Sequence, residues 1–440
     1  MANAAIEFIH GLTYGDLPPS VVHQARRCLL DLIGVAVAGR STALSRLACD
    51  FAAMHMGRGD GPQSRLLFDG RGVSPTGAAF AGAATIDSFD AHDGHRLTKG
   101  HAGVAVLPAL LAYADADFPV SGEEFLACLV LGYEIGTRAG IALHGSVSDY
   151  HTSGAWNALA CAAIGARLMG LGHGQTRHAL GIAEYHGPRS QMMRCIDHPT
   201  MVKDGSAFGA LAGVSAAYLA RAGFTGAPAV TVERCDPTLW MDLGSRWTIM
   251  EQYFKPYPVC RWAQPAIEAA LALQRALGLS VDRIEGLRIH TFHEGTRLAA
   301  RKPSTTEEAQ YSTPFAVAAA LVHGRLGAYE ISGEALAHSD VLRLAAQAEV
   351  IEDPALSALF PDARWARVNF LVDGHWVAGE PRPARGDPEF SLSDHELMTK
   401  FTELSEPHLP PGRRAAITTL AAMLPAGDMA EFLEHLLSPT

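Results

Sequence analysis

Positive charge is in short supply. Lys and Arg number 35 against 46 Asp and Glu, a net charge of −11, and no basic run with interleaved aromatics occurs. That balance argues against nucleic acid as the main partner, and an anionic ligand would need a local basic pocket inside an acidic shell. Cysteine is scarce too. The seven residues, at 28, 49, 128, 161, 195, 235 and 260, lie far apart with no CxxC pair. An odd, scattered set points to reduced thiols and a cytoplasmic setting. No GxGxxG, P-loop or HExxH stands in the chain, so no cofactor is expected. The opening MANAAIEFIHGLTYGDLPPS lacks a basic stretch followed by a long apolar run, so no signal peptide is expected. No segment reaches the uncharged length of a membrane span, and no internal repeat stands out.

What is present is apolar helical sequence. Hydrophobic residues make up 48% and charged residues 18% of 440 residues, enough for a large core and more than one domain. Residues 18–39 open with Pro and close with Gly, and Val22, Ala25, Cys28, Leu29, Ile33 and Ala36 trace one helical face. Residues 42–57, 74–86, 103–115, 121–145, 150–170, 174–186 and 203–222 also read as helices rich in Ala and Leu. Small residues dominate several of them, which predicts close helix packing. After about Pro258 the texture changes. A helix over 263–277 is followed by strand-like sequence at Ile284, Leu287 and Ile289. A Ser304/Glu307 spacing then suggests a capping box, and a helix over 339–347 leads into the strand-like EVIED. ARVNFLVDGHWVAGE predicts a hairpin turning at Asp373-Gly374. The Pro- and Gly-rich PRPARGDPEFSLSD leads to a last helical stretch, 393–436. The expectation is a mainly α chain: a discontinuous all-helical domain, 1–260 and 393–440, with an α+β lid domain at 261–392.

Between two of the buried helices stands IDSFDAHDGHRLTKGHAGVAVLP, Ile86 to Pro108, with Asp87, Asp90, His92, Asp93, His95, Arg96, Lys99 and His101 crowded together. Such a cluster is costly unless its groups are paired, solvated in a cleft or used. Asp90, His92, Asp93 and His95 could ligate a metal in a hydrolase, but the spacing matches no strong signature. A solvated loop whose aspartates cap the next helix would account for His92 and one Asp. It accounts less well for His101 at the start of an apolar helix, where a carboxylate ligand would also be welcome. His151, in SDYHTSGAWNA, sits at a helix entry where Asp149, Thr152 and Ser153 can all cap. Lys203, with Arg194 upstream, heads a small-residue helix. Lys255 and Arg261 lie in YFKPYPVCRWAQP at the domain junction, a preferred place for ligands. Tyr311 falls within the first turns of a lid helix.

Taken together these segments resemble the MmgE/PrpD family over nearly the whole chain. DLIGVAVAG, KDGSAFGALAGVSAAYLARAGFTG and PRPARGDPEFSLSDHELMTKF carry the likeness, with DAHDG and GHAG standing where the family has its acidic motif and its histidine motif. The family includes 2-methylcitrate dehydratase, cis-aconitate decarboxylase and iminodisuccinate epimerase. The resemblance implies a helical domain with an α+β lid, a homodimer, and proton transfer at a carbon beside a carboxylate without cofactor or metal. It implies catalytic roles for Asp90, His101, His151, Lys203 and Tyr311. Asp93, His95, Arg96, Arg194, Lys255 and Arg261 are expected to bind the substrate, a citrate-like acid undergoing dehydration or, alternatively, decarboxylation or epimerisation. This sequence departs from the motif at Gly94, where the family has a hydroxyl residue, at Ala91-His92, and at Ala102-Gly103.

Overall fold

The computed structural model describes residues 2–57, 59–116 and 118–440. Its centre is a stack of apolar helices: Pro75–Asp87, Gly103–Asp115, Gly122–Ser146, Gly154–Leu168 and Ser206–Arg221. Small residues set their spacing. A Cβ at Gly209 would meet Asn157 Oδ1 at 2.2 Å, and one at Gly213 would meet the Ala158 carbonyl at 2.2 Å. Larger side chains at either position would push the two helices apart. Gly122–Ser146 is long and apolar enough to cross a bilayer, yet 94% of its apolar window is buried inside the protein. It is a core helix.

The helix Pro19–Gly39 begins with Pro at its first position and stops where Gly39 lies against the Thr85 carbonyl. Against it packs Asp394–Ser405, with Phe401 touching Gly34, so the C-terminal segment returns to the helical body. The stretch 393–436 is three helices and not one: Asp394–Ser405, Pro411–Met423 and Met429–Leu437. Proline at 410, 411 and 425 removes backbone donors at each break.

The smaller part holds a five-stranded sheet. Gly286–Thr291 pairs in parallel with Ala348–Glu352 on one side and antiparallel with Trp365–Val372 on the other. Trp365–Val372 continues to His375–Ala378, and its first residues also pair with Arg382–Pro383. The connecting turn has Asp373 at φ 49° and Gly374 at φ 74°, the left-handed pair that a two-residue hairpin needs. Ala366, Val368, Phe370 and Val372 alternate into the core, and helix Gln264–Leu277 packs against their strand. Each buried Val or Phe contributes roughly 1.5–3 kcal/mol. The cap before Thr306–Gln310 sits one residue later than the sequence suggests and is not a reciprocal capping box. Thr305 Oγ1 accepts from the Glu308 N–H at 3.2 Å, and Glu308 reaches back to Ser304. The run Ser-Thr-Thr-Glu-Glu offers the same spacing in two registers; Thr305 takes the cap of the second, while Glu308 binds Ser304.

Candidate active site

Three helices begin at one place. His101, just before Gly103–Asp115, donates its N–H to Ser153 Oγ at 2.8 Å. Ser153, just before Gly154–Leu168, donates its own N–H to Asp204 Oδ1 at 3.2 Å, and Asp204 precedes Ser206–Arg221. Converging N-termini make the surroundings favourable to an anion. The sequence offers Ser153, with Asp149 and Thr152, as a candidate cap for its helix. The Ser153 hydroxyl is instead bonded to Asp204, so it joins the loops and leaves the helix without a side-chain cap.

Within this junction Asp90 is buried and ion-paired with Lys255, which is itself fully buried. Burial alone would raise the Asp90 pKa, but Lys255, with smaller contributions from His101, Lys203 and His92, outweighs it and holds the carboxyl well below the ordinary range. Asp90 is therefore a carboxylate at neutral pH. The His101 Nδ1 lies 2.5 Å from the Asp93 carbonyl, which can only accept, so the proton sits on Nδ1. Nε2 is left with its lone pair, 3.8 Å from Asp90 Oδ1. Burial, followed by Lys255, holds the His101 pKa well below its usual value, so the ring is neutral.

Gln310 ties the remaining pieces together. Its Oε1 accepts from the Asp90 N–H at 2.8 Å and from Lys203 Nζ at 2.5 Å, and its Nε2 donates to the Ser88 carbonyl at 3.0 Å. Lys203 has φ 47°, a conformation unusual for a side-chain-bearing residue, and such strain clusters at functional sites. Its Nζ lies 5.3 Å from the ring centre of Tyr311. Tyr311 is buried and ends the short helix Thr306–Gln310, whereas the sequence placed it within a helix. Asp90, His101, Lys203, Lys255 and Tyr311 are thus linked by direct contacts or through Gln310. His151 lies two residues before Ser153, buried, with Nδ1 unbonded and its backbone bridged to Gln191.

The other expected residues fall elsewhere. Asp93 faces away, bonded to the Tyr133 hydroxyl, and burial raises its pKa to about 7. Its backbone carbonyl is what reaches the site. His95 is buried and paired with Glu251 at 3.1 Å, because Gly94–His95 forms a ribbon with Gln252–Tyr253 that sets the ring beside Glu251. Arg96 lies at the surface, bonded to the Asp362 carbonyl and Glu389. Arg261 is held by Asp387 at 2.8 Å and the Arg385 carbonyl at 2.7 Å, with its guanidinium 4.6 Å from the ring centre of Tyr253. Arg194 is exposed and lines a cavity of about 930 Å³ that reaches Lys203, Asp87 and Cys195. His92 faces Asp87 at 3.4 Å, so the four residues considered for a metal point to different partners. Among the described residues no three His, Cys, Asp or Glu side chains converge as a metal site.

Several participants had no mark in the sequence beyond sitting next to a marked residue: Gln310 beside Tyr311, Asp204 beside Lys203, Ser153 near His151. Burial, followed by the Asp87 charge, raises the Asp204 pKa to about 8. Gly94 explains one departure from the family motif. A Cβ there would meet Tyr253 Oη at 2.5 Å and His101 Nδ1 at 2.6 Å, so the space of the usual hydroxyl residue is taken.

A mainly helical body with a smaller α+β part, enclosing carboxylates, imidazoles and lysines, has the make-up of an acid–base site for an anionic ligand. The MmgE/PrpD N-terminal domain matches residues 4–242 and the MmgE/PrpD C-terminal domain matches residues 257–425. The chain belongs to the MmgE/PrpD family. Its relatives include a cis-aconitate decarboxylase-like protein of Aspergillus oryzae, 26% identical over 71% of each chain. The cis-aconitate decarboxylase of Homo sapiens is 28% identical over 72% of this chain and 69% of its own. That of Mus musculus is 24% identical over 89% of this chain and 84% of its own.

Proposed function

We propose that the protein is a cofactor-independent lyase that moves a proton at the carbon next to a carboxylate of a small di- or tricarboxylate. The observation that carries this is the neutral His101, its Nε2 free beside the ionised Asp90 and Lys255. Nε2 takes the proton from the carbon. The imidazolium that forms is stabilised by Asp90, which holds and orients the ring and is too weak a base to take the proton itself. Lys203 and Lys255 carry the substrate carboxylate and the negative charge that grows on it. Tyr311 or His151 gives a proton to the departing hydroxide, which leaves as water. Arg194 lies on the approach.

Dehydration of a citrate-like hydroxy acid is the first reading. The names of the relatives favour a second, decarboxylation, in which the carboxylate carbon leaves as CO₂ and the carbon left behind receives a proton from Tyr311 or His151. The test is product analysis with citrate, 2-methylcitrate, cis-aconitate, malate, tartrate and iminodisuccinate. A new alkene without CO₂ supports dehydration, released CO₂ supports decarboxylation, and no product from any acid overturns the lyase reading.

We also propose a cytoplasmic homodimer. Seven unpaired cysteines suit a reducing compartment. The exposed apolar side chains of Leu47, Phe51, Met54, Val202 and Phe208, gathered around the mouth of the cavity beside Lys203, suit contact with a second copy. Light scattering should give twice the chain mass, falling to one in Phe208→Glu, and a monomeric wild type would contradict it.

A further inference from the structure

Almost every buried cation described above has a partner. Lys255 has Asp90, Lys203 has Gln310, Arg261 has Asp387, and Lys400 has Asp31. Arg364 does not. It is 3% exposed, its Nε and Nη1 are buried without hydrogen bonds, and no ion pair reaches it among the described residues. Its guanidinium faces the Phe360 ring, 5.6 Å from Cζ to the ring centre. A buried, unpaired guanidinium costs several kcal/mol, and a fold that keeps one needs something to offset that cost.

The surroundings lead back to the acid–base cluster. Two residues before Arg364, the Asp362 carbonyl accepts from Arg96 at 3.0 Å, which ties the acidic loop to the segment entering Arg364. The Arg364 carbonyl accepts the Ala384 N–H at 2.8 Å, and the Ala384 carbonyl accepts from Arg261 at 3.3 Å. Arg261 covers Tyr253, whose ring meets His101 edge-on at 6.3 Å between centroids. Burial lowers the Arg364 pKa and the nearby Arg261 charge lowers it further, against the opposing pull of Tyr253 and of Asp387, whose carboxylate is ion-paired with Arg261.

We propose that Arg364 is a specificity-determining residue that binds a second substrate carboxylate, remote from the carbon at which His101 acts. This rests on the lyase reading for the reaction, though not for the binding. The planar guanidinium matches a carboxylate with two parallel hydrogen bonds, and the ligand supplies the ion-pair partner that Arg364 lacks among the described residues. Acids with a carboxylate placed to reach Arg364 are selected, and those without it leave Arg364 buried and unpaired.

The probes are tricarballylate and glutarate, which differ by the central carboxylate and are both unreactive as dehydration substrates. Calorimetric titration of the full chain should show tricarballylate binding 10- to 100-fold more weakly to Arg364→Met than to wild type, the usual size of a lost charge-assisted bond. Arg364→Lys should fall between, because it keeps the charge and loses the fork. Preference for tricarballylate over glutarate should shrink in both. Without ligand, Arg364→Met should melt at or above the wild-type temperature, since it removes an uncompensated charge. Equal tricarballylate affinity in Arg364→Met, or a much lower melting temperature, overturns the proposal. Wild type that binds tricarballylate through Arg364 but converts none of the acid panel overturns the lyase reading alone. Wild type that binds neither probe overturns both.

Discussion

Replacing Lys255 by Met would leave the Asp90 carboxylate in the interior without its main counter-charge. In the folded protein Lys255 is fully buried and Asp90 7% exposed at the side chain, so solvent screens the pair little. Breaking a buried pair from one side costs about 3–5 kcal/mol, because the remaining charge is uncompensated. The sign with pH follows from the direction of the Asp90 shift. In wild type the folded pKa lies below the unfolded one, so this stabilisation is present above about pH 4 and is lost only as pH falls through the folded value. In Lys255→Met the folded pKa rises, and the cost is full at pH 8. It then fades by about 1.4 kcal/mol per pH unit below that raised pKa, as Asp90 takes up a proton. Urea unfolding at pH 8 and pH 5 reads this directly. The double variant Asp90→Asn/Lys255→Met should recover most of the loss at pH 8. Lys255→Met as stable as wild type at pH 8, or a loss unchanged between pH 8 and pH 5, would refute the reasoning.

Asp204 behaves in the opposite way. Its folded pKa of about 8 exceeds the unfolded value, so stability is present at low pH and lost as pH rises toward 8. Asp204→Asn, which mimics the protonated acid, should therefore gain on wild type by about 1.4 kcal/mol per unit between about pH 5 and pH 8 in urea titrations. A gain independent of pH would contradict this. Gly94→Thr, which restores the family's hydroxyl residue, drives its Cβ into Tyr253 and His101. It should lose about 1–3 kcal/mol of stability and most activity. A fully active Gly94→Thr would show that the loop has room after all.

What could be read from the sequence was mostly local. Pro19 and Gly39 bound their helix because one lacks the donor a first turn does not need and the other fits tightly against Thr85. Asp373-Gly374 is a turn because both residues tolerate positive φ. In the site, Asp90, His101, Lys203, Lys255 and Tyr311 were visible because titratable groups stand out against apolar sequence. Their neighbours His95 and Arg96 stood out equally and point elsewhere. Their direction is set by pairing of Gly94–His95 with Gln252–Tyr253, a contact across more than 150 residues that no local pattern encodes. Gln310 and Ser153 are ordinary polar residues until the fold brings Asp90, Lys203 and Asp204 to them. Arg364, in PDARWARV, carries no motif at all. Its mark is the absence of an ion-pair partner among the described residues, which only the fold reveals.

The central claim is that His101 exchanges a proton with a carbon beside a carboxylate. Proton NMR in D₂O, with the acid panel and either wild type or His101→Ala, tests it most directly. Wild type should place deuterium at such a carbon of at least one acid, and His101→Ala should slow this by about 10²- to 10⁴-fold, the usual contribution of a general base. Exchange at the wild-type rate in His101→Ala would contradict the account.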